Sequence, residues 1–334
     1  MPLIDNDWLP LAFVILMALS FLIYAVLDGY DLGVGVLLPM QDQQQRDTMI
    51  SSIGPFWDAN ETWLVLAIGL LLIAFPQAHS LVLQHLYLPV SFMLLGLILR
   101  GVAFDFRTKA ASKNKKSWDL AFKGGSLLAT LMQGYMLGRY VMGFSDTSAS
   151  YAFAVLSAIC VTAGYCYIGS AWLVMKTTGK LQQKAASWCF YSALLTALGI
   201  IAVCLTNLLL SPEIFDKWLG LPQLFIFLPL PLLFMIIFSV SCFYLKKVPH
   251  AGDNGCWLPF AGAVLVFILC FSGLAYSYFP YIIWQELTIW QAASARESLQ
   301  FIFYGAVVVL PTIVAYTIFS YKVFWGKASK LNYY

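Results

Sequence analysis

No charged residue interrupts the chain from Leu9 to Leu27, and none from Leu64 to Phe75. About twenty apolar residues in helical form cover the hydrocarbon of a bilayer, so runs of this kind constrain the fold more than any motif. Nine stretches qualify: Leu9 to Leu27, Gly54 to Phe75, Leu81 to Phe104, Leu120 to Met142 and Tyr151 to Met175, then Ala186 to Leu210, Phe225 to Leu245, Leu258 to Tyr278 and Leu299 to Phe324. Hydrophobic residues make up 61% of the 334 and charged residues only 10%, more apolar surface than a soluble domain of this size can hide. The expected fold class is all-α, a polytopic membrane protein with about nine spans. It forms a single integral domain over 1–334 with no soluble module.

Basic residues gather after every second span. Arg107, Lys109, Lys113, Lys115 and Lys116 follow the third, Lys176, Lys180 and Lys184 the fifth, Lys246 and Lys247 the seventh, and Lys322, Lys327 and Lys330 mark the exit of the ninth. The positive-inside rule then puts the C-terminus in the cytoplasm and, with an odd count, the N-terminus outside. Asp5 and Asp7 stand where a signal peptide carries basic residues, so no cleavable signal is expected. The net charge of +3 is scattered and leaves no footprint for nucleic acid.

The informative residues are the charges that the apolar runs should not tolerate. Asp58 and Glu61 sit three apart between Trp57 and Trp63, which puts them on one helix face at the mouth of the second span. Asp28 and Asp31 repeat that spacing at the end of the first span, followed by glycines suited to close packing or to a break. Arg100 follows an uncharged run in the third span. Each has a plain reading, namely acids meeting a helix dipole, an interfacial turn and a snorkelling arginine. The sharper reading makes them one cluster, because the ends of spans one and three and the start of span two share a side. A buried arginine then finds its carboxylates, and intramembrane acids carry protons. Asp119 opens the fourth span nearby, and Gln41 to Thr48 reads as a solvated linker.

Other chemistry is poorly supplied. His79 and His85 are six apart without an acidic companion and read as interfacial or hydrogen-bonding residues. The seven cysteines include no Cys-x-x-Cys and read as small buried apolar residues, not as metal or disulfide sites. The aromatics read as interface belts and packing. There is no P-loop, dinucleotide fingerprint or nucleophile elbow. No pair of axial haem ligands and no iron–sulfur framework is present, so no catalytic residue and no metal is assigned to this chain.

Four stretches together carry a family resemblance: Asp28-Gly-Tyr-Asp-Leu-Gly-Val-Gly35, Gly54-Pro-Phe-Trp-Asp-Ala-Asn-Glu-Thr-Trp63, Leu99-Arg-Gly-Val-Ala-Phe-Asp-Phe-Arg107, and Tyr278-Phe-Pro-Tyr281 with the loop holding Trp290. Over nearly its whole length the chain resembles subunit II of the cytochrome bd-type quinol oxidases, including the cyanide-insensitive branch. The connection between spans six and seven is short beside that of longer members.

The resemblance implies a heterodimer in a bacterial inner membrane. Its larger subunit I carries haems b558, b595 and d, and the pair oxidises quinol (ubiquinol) and reduces dioxygen to water. It implies two four-helix bundles, here 1–143 and 151–282, with a ninth helix over 299–325. A structural quinone or lipid on this chain and a small single-helix subunit are further expectations. Carried over by position, Asp58 is the proton-pathway acid, with Asp28, Asp31, Glu61, Arg100 and Asp119 around it, so that proton uptake here contributes to proton motive force, and Trp63 matches a residue at the entrance of an apolar oxygen route in some members. Two other classes stand beside this reading, a stand-alone secondary transporter or proton channel and a purely structural membrane partner.

Overall fold

The computed structural model describes residues 8–109, 114–221, 225, 229–249 and 253–328. Asp5, Asp7, Lys113, Lys330 and part of the first turn expected for span seven lie outside them. The first helix, α1 (Trp8–Val36), runs nine residues past the expected end of span one. The glycines there are packing sites and not a break. A Cβ on Gly33 would sit 1.8 Å from the Tyr165 carbonyl oxygen, and Gly169 faces Gly33 in return. Only bare backbone on both helices permits that approach.

The expected linker is corrected. Asp42 caps α2 (Gln43–Ile53) through its carboxylate on the Gln45 N–H, and Arg46 and Met49 point inward. Caps of this kind satisfy donors that a helix start leaves open, so a polar stretch became a short helix with a buried arginine. Next come α3 (Trp57–Ala74) and α4 (Pro76–Lys109). Pro76 both halts α3 and opens α4, because its missing N–H costs nothing in a first turn. The chain continues through α5 (Lys115–Val141), α6 (Ser148–Lys176), α7 (Gly179–Leu210) and the short α8 (Pro212–Leu219). Then follow α9 (Pro229–Leu245), α10 (Leu258–Tyr278), a small antiparallel hairpin of β1 (Tyr281–Ile283) and β2 (Leu287–Thr288), α11 (Ile289–Ala292) and α12 (Arg296–Val323).

Among the described residues seven helices are long and apolar enough to cross a membrane, namely α1, α3, α4, α6, α7, α10 and α12. α5 is long but polar, and α9 is apolar with only 17 residues, so length and composition alone do not establish nine crossings. α1 packs on α3, α5 and α6, α4 on α5, and α9 and α10 on each other. The interior between α1, α3 and α6 is aromatic: Tyr30 stacks on Trp172 at 4.2 Å, and Phe56 on Tyr321 at 4.5 Å. The outer surface is apolar, with Leu209 and Phe301 each 82% exposed. Such a surface needs lipid or protein around it. The chain is an all-α, polytopic membrane protein.

Candidate functional site

Arg100 on α4 is 1% exposed and is the centre of the buried charge. Its Nη2 donates to Asp28 Oδ1 at 2.6 Å and also to Glu61 Oε1. Asp28 and Asp31 are both fully buried on α1, and Glu61 reaches in from α3 with its side chain 27% exposed. The Trp57 ring lies beside the guanidinium, 6.0 Å from centroid to Cζ. Gly125 lets α5 approach the same place, since a Cβ there would be 2.9 Å from the Arg100 backbone nitrogen.

Asp31 has no arginine of its own. Its Oδ2 accepts from Asn60 Nδ2 at 2.8 Å. Asn60, 1% exposed, also donates to Tyr30 Oη at 3.0 Å and accepts from Tyr321 Oη at 3.2 Å. Asp28 Oδ2, Asp31 Oδ1 and the Nε and Nη1 of Arg100 are buried without a hydrogen-bond partner. A dry interior does not leave that many polar atoms idle at no cost, so the site has room in its chemistry for protons or ligands.

Arg100 therefore does draw carboxylates, but they are Asp28 and Glu61, not Asp58. Asp58 is exposed in the first turn of α3. Asp119 is fully buried and belongs to a second cluster: Arg46 Nε donates to its Oδ2 at 2.6 Å, and Arg107 Nε donates to its Oδ1. Arg107 Nη2 also pairs with Asp47 at 2.6 Å. Two arginines against two acids balance, whereas the first cluster has three acids against one arginine. Trp63 is buried in α3 at 4% exposed. Sequence reasoning gave no role to Asn60, Tyr30 and Tyr321. Asn60 could have been found as an amide beside Glu61 on an apolar helix, but nothing marks Tyr321, which arrives from the far end of the chain.

Among the described residues no two histidines face each other from different helices. His79 and His85 share α4, His85 is exposed with its ring stacked on Phe144, and its Nδ1 faces the Leu81 carbonyl. Among the described residues no three His, Cys, Asp or Glu side chains gather to hold a metal.

An apolar exterior around an interior of buried acids, amides and tyrosines defines a polytopic membrane protein with titratable groups in its core. The profile of the family described as cytochrome bd terminal oxidase subunit II matches residues 9–324, and the chain belongs to that family. It is 29% identical to cytochrome bd ubiquinol oxidase subunit 2 of Bacillus subtilis (strain 168), covering 94% of this chain and 95% of that one. It is 25% identical to cytochrome bd-I ubiquinol oxidase subunit 2 of Escherichia coli (strain K12), covering 98% and 97%. The fold matches the bd oxidase structure from Geobacillus thermodenitrificans with a TM-score of 0.77 at 17% identity, over 96% of this chain and 100% of that one. The chain is thus a multi-pass subunit of an oxidoreductase complex, a respiratory terminal oxidase that contains haem and includes a subunit I.

Proposed function

We propose that this chain supports a larger, haem-bearing subunit I in oxidising quinol and reducing dioxygen to water, and that its acid cluster passes protons inward for that reduction. One observation carries the reading: two carboxylates pair with one arginine inside the apolar body, Asp31 lies buried beside them without a cation of its own, and an oxygen of Asp28 and one of Asp31 have no partner. One guanidinium balances one carboxylate. The charge left over is too costly to hold dry, so protons balance it. A proton held for that reason can be handed on when another is drawn away.

Asp58 is the outermost acid in this route. Glu61, one turn further along α3, is the step inward to Asp28 and Asp31. One turn from Asp28 along α1, Tyr24 Oη accepts from Gln133 at 2.7 Å, and Gln133 accepts from Tyr165 Oη at 2.8 Å. The Arg46–Asp119–Arg107 cluster lies two turns along α4 and anchors the entrance. The haems sit in subunit I, and no step on this chain needs them as ligands.

The same reading fixes the architecture. α5 and α9 cross as well, making nine spans. α1, α3, α4 and α5 form one bundle and α6, α7, α9 and α10 the other, joined where α6 packs on α1 and α5, with α12 peripheral. The basic loops face the cytoplasm of an inner membrane, and the N-terminus lies outside. Trp63 borders an apolar route for oxygen. The groove of about 490 Å³ beside Tyr87, Phe92, Met132 and Tyr135 suits a lipid or quinone, and a small single-helix subunit completes the complex.

The test is Asp58→Asn in the complex purified with subunit I and fully loaded with haem. Turnover on quinol falls while the haem spectrum is unchanged. A purely structural reading draws support from Arg100, which ties α1, α3 and α4 together. Asp58 makes no such tie, so undiminished turnover in Asp58→Asn favours the structural reading and contradicts ours.

A further inference from the structure

α12 is the most exposed of the long helices, and Leu299 is its only buried residue among those described. Yet near its end Tyr321 enters the shell around the fully buried Asp31. The hydrogen-bond directions there follow from donor chemistry alone. The Leu27 carbonyl, which can only accept, lies 3.3 Å from Asn60 Nδ2, so the amide turns its donor side to α1. Asn60 Nδ2 then donates to Tyr30 Oη at 3.0 Å. Tyr321 spends its single hydrogen on Asn60 Oδ1 at 3.2 Å, which leaves Tyr30 as the donor in the 2.6 Å contact between the two hydroxyls. The three groups close a ring in which each donates and accepts, and such rings polarise their members. The second amide hydrogen goes to Asp31 Oδ2, the nearest acceptor at 2.8 Å, with the Leu27 carbonyl sharing it at longer range.

We propose that Tyr321 is a positioning residue that sets the proton-holding state of Asp31 through the Asn60 amide. The inference rests on the proton route described above. An amide donor aimed at a carboxylate favours its ionised form. Asp31 is thereby anchored at Oδ2, while Oδ1, which has no partner, is the oxygen that takes and gives the proton without breaking the anchor. Among the described residues, Asp28 and Tyr30 from α1, Asn60 and Glu61 from α3, Arg100 from α4 and Tyr321 from α12 are the polar groups that face this carboxyl. Of these, Tyr321 alone belongs to the peripheral helix. Its place is held from behind: Lys176 Nζ donates to the Phe324 carbonyl at 2.8 Å, and Lys327 Nζ donates to the Thr177 carbonyl at 3.0 Å. Removing the Tyr321 hydroxyl frees Oδ1 of the amide, loosens the donor on Asp31 and makes the protonated carboxyl easier to form.

The experiment is the pH profile of quinol-driven oxygen consumption by the haem-loaded complex, for wild type, Tyr321→Phe, Tyr30→Phe, the double variant and Asp31→Asn. Phenylalanine keeps the ring stacked on Phe56. The limb of the profile that Asp31→Asn abolishes moves alkaline by about one pH unit in Tyr321→Phe, the worth of one hydrogen bond near a charge. Tyr30→Phe, which breaks the same ring, moves it equally, and the double variant adds little. Redox difference infrared spectra show a stronger protonated-carboxyl band in both single variants, assigned by its loss in Asp31→Asn. A limb that Asp31→Asn abolishes but both tyrosine variants leave in place overturns the role of Tyr321. A profile that Asp31→Asn itself leaves unchanged overturns the proton route beneath it. Should Tyr321→Phe fail to assemble, Tyr30→Phe alone decides.

Discussion

Arg100 and Arg107 lie two turns apart on one stripe of α4, and each meets its own acids: Asp28 and Glu61 for the first, Asp119 and Asp47 for the second. Seven residues of helix separate them by ~10 Å along the axis with almost no rotation. The two clusters are therefore stacked, one balanced in charge and one with acids in excess. On the proposed reading, that difference separates a structural role from a proton-carrying one.

Arg100→Ala should damage the complex before it damages turnover. It leaves Asp28 and Glu61 without their cation, and breaking a buried pair from one side costs about 3–5 kcal/mol. The check is the yield and melting temperature of the haem-loaded complex, with Asp28→Asn milder because it removes a charge instead of stranding one. Normal yield of Arg100→Ala would show that the pairs contribute little to assembly.

The balanced cluster predicts a different pattern. Asp119→Ala takes away the carboxylate that Arg46 and Arg107 share and leaves the two arginines with Asp47 alone, on the Arg107 side. It should lower the melting temperature more than either Arg46→Ala or Arg107→Ala does, since two like charges are then left together.

Helix approach can be tested at glycine. Gly33→Val places side-chain atoms against the Tyr165 carbonyl and Gly169, both backbone that cannot swing aside. Assembly should be lost. Gly69, with open space where a Cβ would go, should accept alanine with no loss and a small gain in helix propensity. Equal yields from the two variants would contradict the close packing of α1 on α6.

Acid pH should loosen the connection between α5 and α6. Hydrogen bonds from Tyr151 and Arg139 hold the Asp146 carboxyl below the usual carboxylate range. A carboxyl held low in the folded state stabilises it above its unfolded value of about 4, and that contribution is lost as pH falls further. Melting curves of Asp146→Asn should therefore show a smaller loss between neutral and acid pH than wild type, with little difference between the two at the acid end.

Much of this was legible before any coordinates. The apolar runs mark the helices, and a lone arginine in such a run implies carboxylates nearby, which the acids of α1 and α3 supply. Which acids pair was not legible. Asp58 and Glu61 share a spacing, and only the rotation of α3 against α4 turns Glu61 inward and Asp58 out. The stretch from Gln41 to Thr48 is polar enough to read as a loop, and its helix depends on the Asp42 cap and on a tertiary partner for Arg46. Tyr321 carries no local signal, because its role comes from where the last helix ends.

The most direct measurement is turnover per haem of Asp31→Asn in the assembled complex. Asp31 has no salt bridge among the described residues, so neutralising it should leave assembly intact. If this cluster carries protons, turnover falls at least about tenfold, as loss of an acid–base group does, with full haem content. Wild-type turnover at full haem content would contradict the account, leaving the cluster as a tie between helices.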